Sequence, residues 1–152
     1  MFCSCLPAQE GLERALRDGR EAIIAGKAAR AIQILRRADP QTKDRRTAEL
    51  LAAAHSRRGL ERYRAGKIDL ARQDYVIADK TTPGKEHILQ SLGVICMELQ
   101  RTDSAERYMT RLLKINAENS VALGVLARIA AGRNDNVKAS DMYKKASRAA
   151  IW

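Results

Sequence analysis

The chain has 152 residues, with 28 Lys and Arg against 18 Asp and Glu, a net charge of +10 and a sequence pI near 10.0. That length suits one domain of ordinary size, and with no run of about eighteen apolar residues no transmembrane helix is predicted. The basic balance favours an acidic partner, whether an acidic protein, nucleic acid or an anionic surface.

The N-terminal stretch "MFCSCLPAQE" has neither the basic region nor the apolar core of a signal peptide. Residues 1–11 therefore read as a poorly ordered segment and the protein as cytoplasmic. A periplasmic lipoprotein is the alternative if "CSCLPAQ" is a mature lipoprotein start whose leader lies upstream. Three cysteines, Cys3, Cys5 and Cys96, are an odd number, which in the absence of a leader argues for a reducing compartment rather than a disulfide framework.

From residue 12 the chain repeats itself. "DGREAIIAGKAARAIQILRRADP" from Asp18 is followed by "RGLERYRAGKIDLARQDYVIADKTTP" from Arg58, "LGVICMELQRTDSAERYMTRLLKINA" from Leu92 and "LARIAAGRNDNVKASDMYKKASRA" from Leu126. Gly59, Gly93 and Ala127 stand 34 apart, and Gly19 joins that column if about six extra residues separate the first two units. Ala31, Ala71, Ala105 and Ala139 form a second column; Leu35, Tyr75, Met109 and Tyr143, four residues on, form a third; Ala38, Ala78, Leu112 and Ala146 form a fourth. The repeats fall at about 12–51, 52–85, 86–119 and 120–152.

A period of this length makes each unit one supersecondary element that buries its core by stacking on neighbours. Apolar residues at three- and four-residue intervals predict two amphipathic helices per unit. The break between them is supplied by Gly26, Gly66, "QRTDS" and "GRNDN". Asp103 and Glu106 have capping-box spacing, which predicts a helix start at Asp103. The small columns predict close helix approach within a pair, and the large column is expected to fill the gap to the next pair. Cys96 falls on an apolar face, as a buried small hydrophobe.

These columns resemble the tetratricopeptide repeat (TPR), and the resemblance covers roughly residues 12–150. It implies an all-α, right-handed superhelical stack of helix-turn-helix repeats. Departures are His55 at the bulky early position of the second unit, Ala117 where Pro83 ends the previous unit, and the early Pro40 in the first.

No chemistry-bearing motif accompanies the repeats. The Gly-Lys pairs in "AGKA", "AGKI" and "PGKE" lack the remainder of a phosphate-binding loop, and no nucleophile elbow, zinc-protease helix or dinucleotide fingerprint occurs. The chain is not expected to be an enzyme or to carry a cofactor. A structural metal needs about four compatible ligands, and beyond its carboxylates the chain offers only its cysteines, His55 and His87. His55 reads as a structural histidine in a core column, and His87 as a groove-side residue near a helix start. Single-stranded nucleic acid would want exposed aromatics; Tyr75, Tyr108 and Tyr143 lie in or beside packing columns, leaving Tyr63 alone, so nucleic acid is disfavoured.

The expected function is a non-catalytic adaptor or scaffold that holds a peptide or helix of another protein. Alternatives are an assembly factor or chaperone of a bacterial secretion or pilus system, and a basic RNA-associated repeat protein. The resemblance places the groove on the first helix of each pair, on Arg20 and Ile23, then Leu60, Tyr63 and Arg64, then Gln90, Val94 and Met97, then Arg128. Apolar groups flanked by arginines suit an amphipathic segment with acidic edges. Leu16, Ser56, Gln90 and Gly124 stand where relatives that clamp an acidic C-terminus carry lysine and asparagine, so that clamp is not expected. The ending "KKASRAAIW" leaves no capping helix, which predicts self-association through the last repeat, its cover by a segment further downstream, or a fold-back of Ile151 and Trp152.

Overall fold

The computed structural model describes the backbone of residues 6–150 and the side chains of residues 9–150. Eight α-helices follow one another among them: α1 (Leu6–Ile24), α2 (Ala28–Ala38), α3 (Arg45–Arg64), α4 (Ile68–Thr81), α5 (Glu86–Glu98), α6 (Thr102–Ile115), α7 (Ser120–Gly132) and α8 (Asn136–Ala149). They pack as consecutive hairpins, α1 on α2, α3 on α4, α5 on α6 and α7 on α8. The all-α array of helix-turn-helix units is therefore the fold. No described helix is long and apolar enough to cross a membrane. Helix α1 begins at Leu6, inside the segment expected to precede the repeats. Cys3, Cys5, Ile151 and Trp152 lie outside the described residues.

All four hairpins turn by one device. Gly26, Gly66, Gln100 and Asn134 adopt φ of 72°, 73°, 56° and 62°, the left-handed conformation that ends a helix. The next residue's N–H then reaches back into the helix: Lys27 to the Ala22 carbonyl at 2.8 Å, Lys67 to Arg62 at 2.8 Å, Arg101 to Cys96 at 2.7 Å and Asp135 to Ala130 at 3.0 Å. This satisfies carbonyls that a helix end otherwise leaves unpaired.

Helix starts are less uniform. The side chains of Asp44, Asn119 and Asp135 accept the backbone N–H groups of Arg46, Ala122 and Lys138. Asp103 does not take the capping role expected of it, because the turn at Gln100 starts α6 at Thr102 and leaves Asp103 inside the first turn. Its carboxylate instead accepts Arg133 Nη2 at 3.2 Å, and the same nitrogen pairs with Glu106 at 2.8 Å.

The irregular spacing of the first two repeats has a local cause. Helix α2 has 11 residues where α4 and α6 have 14. It stops at Ala38, because a residue preceding a proline, here Asp39 before Pro40, is disfavoured in the helical region. Helix α3 has 20 residues where α5 and α7 have 13. The insertion is thus spent on two extra helical turns, and the first repeat boundary lies at residues 39–44 rather than near 51.

Two compact units result, one ending at Pro83 and carrying α1–α4, the other beginning at Gly84 and carrying α5–α8. The first buries Leu16, Ala31, Ile32, Leu35, Leu51 and Ala54 together. The second buries Leu89, Cys96, Met109, Leu112, Leu126 and Ile129. Each fully buried leucine or methionine contributes about 2 kcal/mol of apolar transfer free energy.

The third column shares a core cluster with the next pair, Leu35 with Leu51 and Ala54 and Met109 with Leu126 and Ile129. It also packs onto the glycine column of its own pair, because a missing Cβ leaves a hollow there. A Cβ at Gly19 would stand 2.9 Å from Leu35 Cγ, one at Gly59 3.0 Å from the Tyr75 ring, and one at Gly93 2.9 Å from Met109 Sδ. In the fourth pair Ala127 fills the hollow with its own methyl, and Tyr143 stands 45% exposed where Leu35, Tyr75 and Met109 are at most 5%.

Candidate partner-binding surface

Within each unit the first helices of successive hairpins are neighbours, α1 beside α3 and α5 beside α7. In the first unit α1 carries Arg20, which is exposed, and Ile23, which is half-buried against the apolar core. On α3, Leu60 and Tyr63 are half-buried and Arg64 is exposed. Tyr63 is not the free aromatic the sequence suggested, since it has an intramolecular partner of its own. In the second unit Gln90, Val94 and Met97 lie on one face of α5 at helical spacing, all half-buried. Gln90 Oε1 accepts Asn119 Nδ2 at 3.5 Å, and Val94 and Met97 pack on the core beneath. Arg128 on α7 is exposed, as is His87 on α5.

A second cluster, not foreseen from the sequence, occupies the first unit. Asp74 on α4 and His55 on α3 are 0% and 1% exposed. His55 Nδ1 donates to Asp74 Oδ1 at 2.9 Å. Arg58 Nη2 donates to the same oxygen at 2.6 Å, while Arg58 Nε lies 3.1 Å from both carboxylate oxygens. Arg62 Nη1 closes on Asp74 Oδ2 at 2.8 Å. On the far side of the ring Arg36 Nη2, from α2, approaches His55 Nε2 at 3.3 Å. A guanidinium only donates, so Nε2 is the acceptor and Nδ1 carries the proton. Burial alone would raise the Asp74 pKa; the hydrogen bonds from His55 and Arg58, with the charges of Arg58 and Arg62, outweigh it and hold the carboxyl at about 2.

The repeat columns contain the signal that would have found this cluster. His55 aligns with Ala15, Leu89 and Leu123; Arg58 with Asp18, Leu92 and Leu126; Arg62 with Ala22, Cys96 and Ala130. Asp74 aligns with Ile34, Tyr108 and Met142. Four polar residues stand at positions that are apolar in nearly every other repeat, and all four belong to the second.

No protein-family model matches the sequence, and no curated protein does. Solved structures do match. MamA superposes with a TM-score of 0.62 at 16% identity, over 92% of this chain and 78% of MamA. The Pseudomonas aeruginosa pilF protein gives 0.57 at 16% identity, over 94% of this chain and 78% of that one. A tetratricopeptide repeat protein from Parabacteroides merdae gives 0.65 at 20% identity, over 90% of this chain and 52% of that one. The class of the molecule is therefore a helical-repeat protein. Its fold is that of the tetratricopeptide repeats.

Proposed function

We propose that the protein is a non-catalytic adaptor that holds a peptide or amphipathic helix of a partner protein on its first-helix faces. The observation that carries this reading is the composition of those faces within each unit: half-buried Leu60 and Tyr63 with exposed Arg20 and Arg64 in the first, and half-buried Val94 and Met97 with exposed Arg128 in the second. Apolar anchors in a basic rim suit a segment with apolar residues on one side and acidic residues at its edges. Because Val94 and Met97 also pack on the core, the informative substitutions are at Tyr63, Arg64 and Arg128. Tagged protein should capture one stoichiometric partner, and Tyr63→Ala and the pair Arg64→Glu with Arg128→Glu should each lose it while remaining folded by circular dichroism. Undiminished capture by both folded variants overturns the reading.

Self-association through the last repeat belongs to the same proposal. Helix α8 buries only Ala139, and Val137 and Tyr143 are 81% and 45% exposed. Light scattering should give a mass that rises with concentration and falls back to the monomer in Tyr143→Lys; a monomer at all concentrations removes this part.

A further inference from the structure

The polar cluster of the second repeat stands where neighbouring repeats have apolar side chains. Replacing core contacts by a buried ion network is a poor route to stability, since desolvation offsets most of the Coulombic gain. Its presence in one repeat of four therefore asks for a use. The charge balance supplies one. Arg36, Arg58 and Arg62 bring three positive charges to a single connected network, in which Asp74 is the only carboxylate. Helix α2 contains no acidic residue. On α3, Glu49 pairs with Arg45 and Glu61 with Arg57, and on α4, Asp69 lies 3.8 Å from Arg72. In the following turn Asp39 is occupied by the N–H groups of Lys43 and Asp44. Among the described residues Arg36 has no carboxylate partner, and it is exposed. The side chains of Arg58 and Arg62 remain 24% and 30% exposed while Asp74 fixes their orientation.

We propose that Arg36, with the accessible edges of Arg58 and Arg62, forms a carboxylate-binding subsite that receives an acidic side chain of a partner protein. It rests on the reading of the protein as a protein-binding adaptor and adds a second anchoring point to the first-helix faces. Arg58 and Arg62 are held by the buried acid and Arg36 by the His55 ring, which orients these guanidiniums for the hydrogen bonds that a carboxylate accepts. A nucleic acid would want an open aromatic face for its bases, but Tyr75, which follows Asp74, is buried over Gly59, and Tyr63, which follows Arg62, is half-buried.

The probe is a fluorescein-labelled octaglutamate peptide, followed by anisotropy at low salt with the full chain. Arg36→Gln should weaken binding about tenfold, the value of one charge-assisted contact. Arg57→Gln, which removes an exposed charge from α3, the helix that carries Arg58 and Arg62, should change it less than about twofold. Tyr63→Ala should leave it unaltered, so that failure of the first-helix faces and failure of this subsite are distinguishable. Equal losses in Arg36→Gln and Arg57→Gln would mean diffuse attraction only, and sink the subsite. Tighter, Arg36-dependent binding of an octauridylate RNA would reassign it to nucleic acid, and displacement of the peptide by millimolar inorganic phosphate would reassign it to a free anion. If Arg36→Gln does not fold, Arg36→Lys substitutes: it keeps the charge but loses the fork, and wild-type affinity in that variant counts against the proposed geometry.

Discussion

Buried Asp74 holds a buried histidine and two partly exposed guanidiniums, and the consequences of removing it are asymmetric. Asp74→Asn keeps the shape but leaves partly exposed Arg58 and Arg62 without their counter-charge, at an expected cost of about 1–3 kcal/mol. Replacing the whole network by the residue types of the other repeats, His55→Leu, Arg58→Leu, Arg62→Ala and Asp74→Met, should leave stability equal to wild type or raise it by about 1–4 kcal/mol, since nothing charged then remains buried. Urea unfolding separates the two, and a quadruple variant less stable than Asp74→Asn would show that the network is chiefly structural. Exposed Arg20, Arg64 and Arg128 were legible from helical periodicity, which fixes the outward direction. How deeply Ile23, Val94 and Met97 sink into the core was not, because depth depends on what the neighbouring helix brings. The network itself needs a contact between α3 and α4, and a single helical face does not reveal it; only a comparison of columns does.

At the scale of the element, the glycine column and the left-handed turn are the two devices that make a hairpin. Alanine at Gly93 gains about 1 kcal/mol of helix propensity. Against that, its methyl would press on the fully buried Met109 side chain, and overpacking costs about 1–3 kcal/mol, so Gly93→Ala should be destabilising. Gln100 carries the left-handed turn without being glycine, at a strain of about 1–2 kcal/mol, only part of which is returned as lost chain entropy on substitution. Gln100→Gly should therefore raise the melting temperature by about 2–4 °C. Thermal melts check both, and a stabilised Gly93→Ala would contradict the close packing of the pair. These columns were readable because each repeat restates them. The lengthening of α3 was hidden for the opposite reason: residues 45–51 have no counterpart in the later repeats, so periodicity gave no register for them.

At the scale of the molecule, the two units differ in what acid does to them. Asp44 is held at about 2 by Arg46, through its side chain and its backbone N–H, and Asp74 at about 2 by its network. Burial would raise the Asp39 pKa, but the N–H groups of Asp44 and Lys43 lower it on balance. All three precede Pro83 and belong to the first unit. A carboxyl whose folded pKa is depressed contributes stability that is fully present above its unfolded value near 3.8 and is lost as pH falls through the folded value. For buried Asp74 that contribution is about 2 kcal/mol; Asp44, half-buried and paired with exposed Arg46, is screened and adds far less. Between about pH 4 and 2, hydrogen exchange followed by mass spectrometry should show α3 and α4 losing protection before α5–α8, whose core cluster is apolar. Asp74→Asn should remove most of the pH dependence of that difference, because the first unit then lacks the Asp74 contribution at every pH. Simultaneous loss of protection in both units over that window would mean that the acid response does not originate at Asp74.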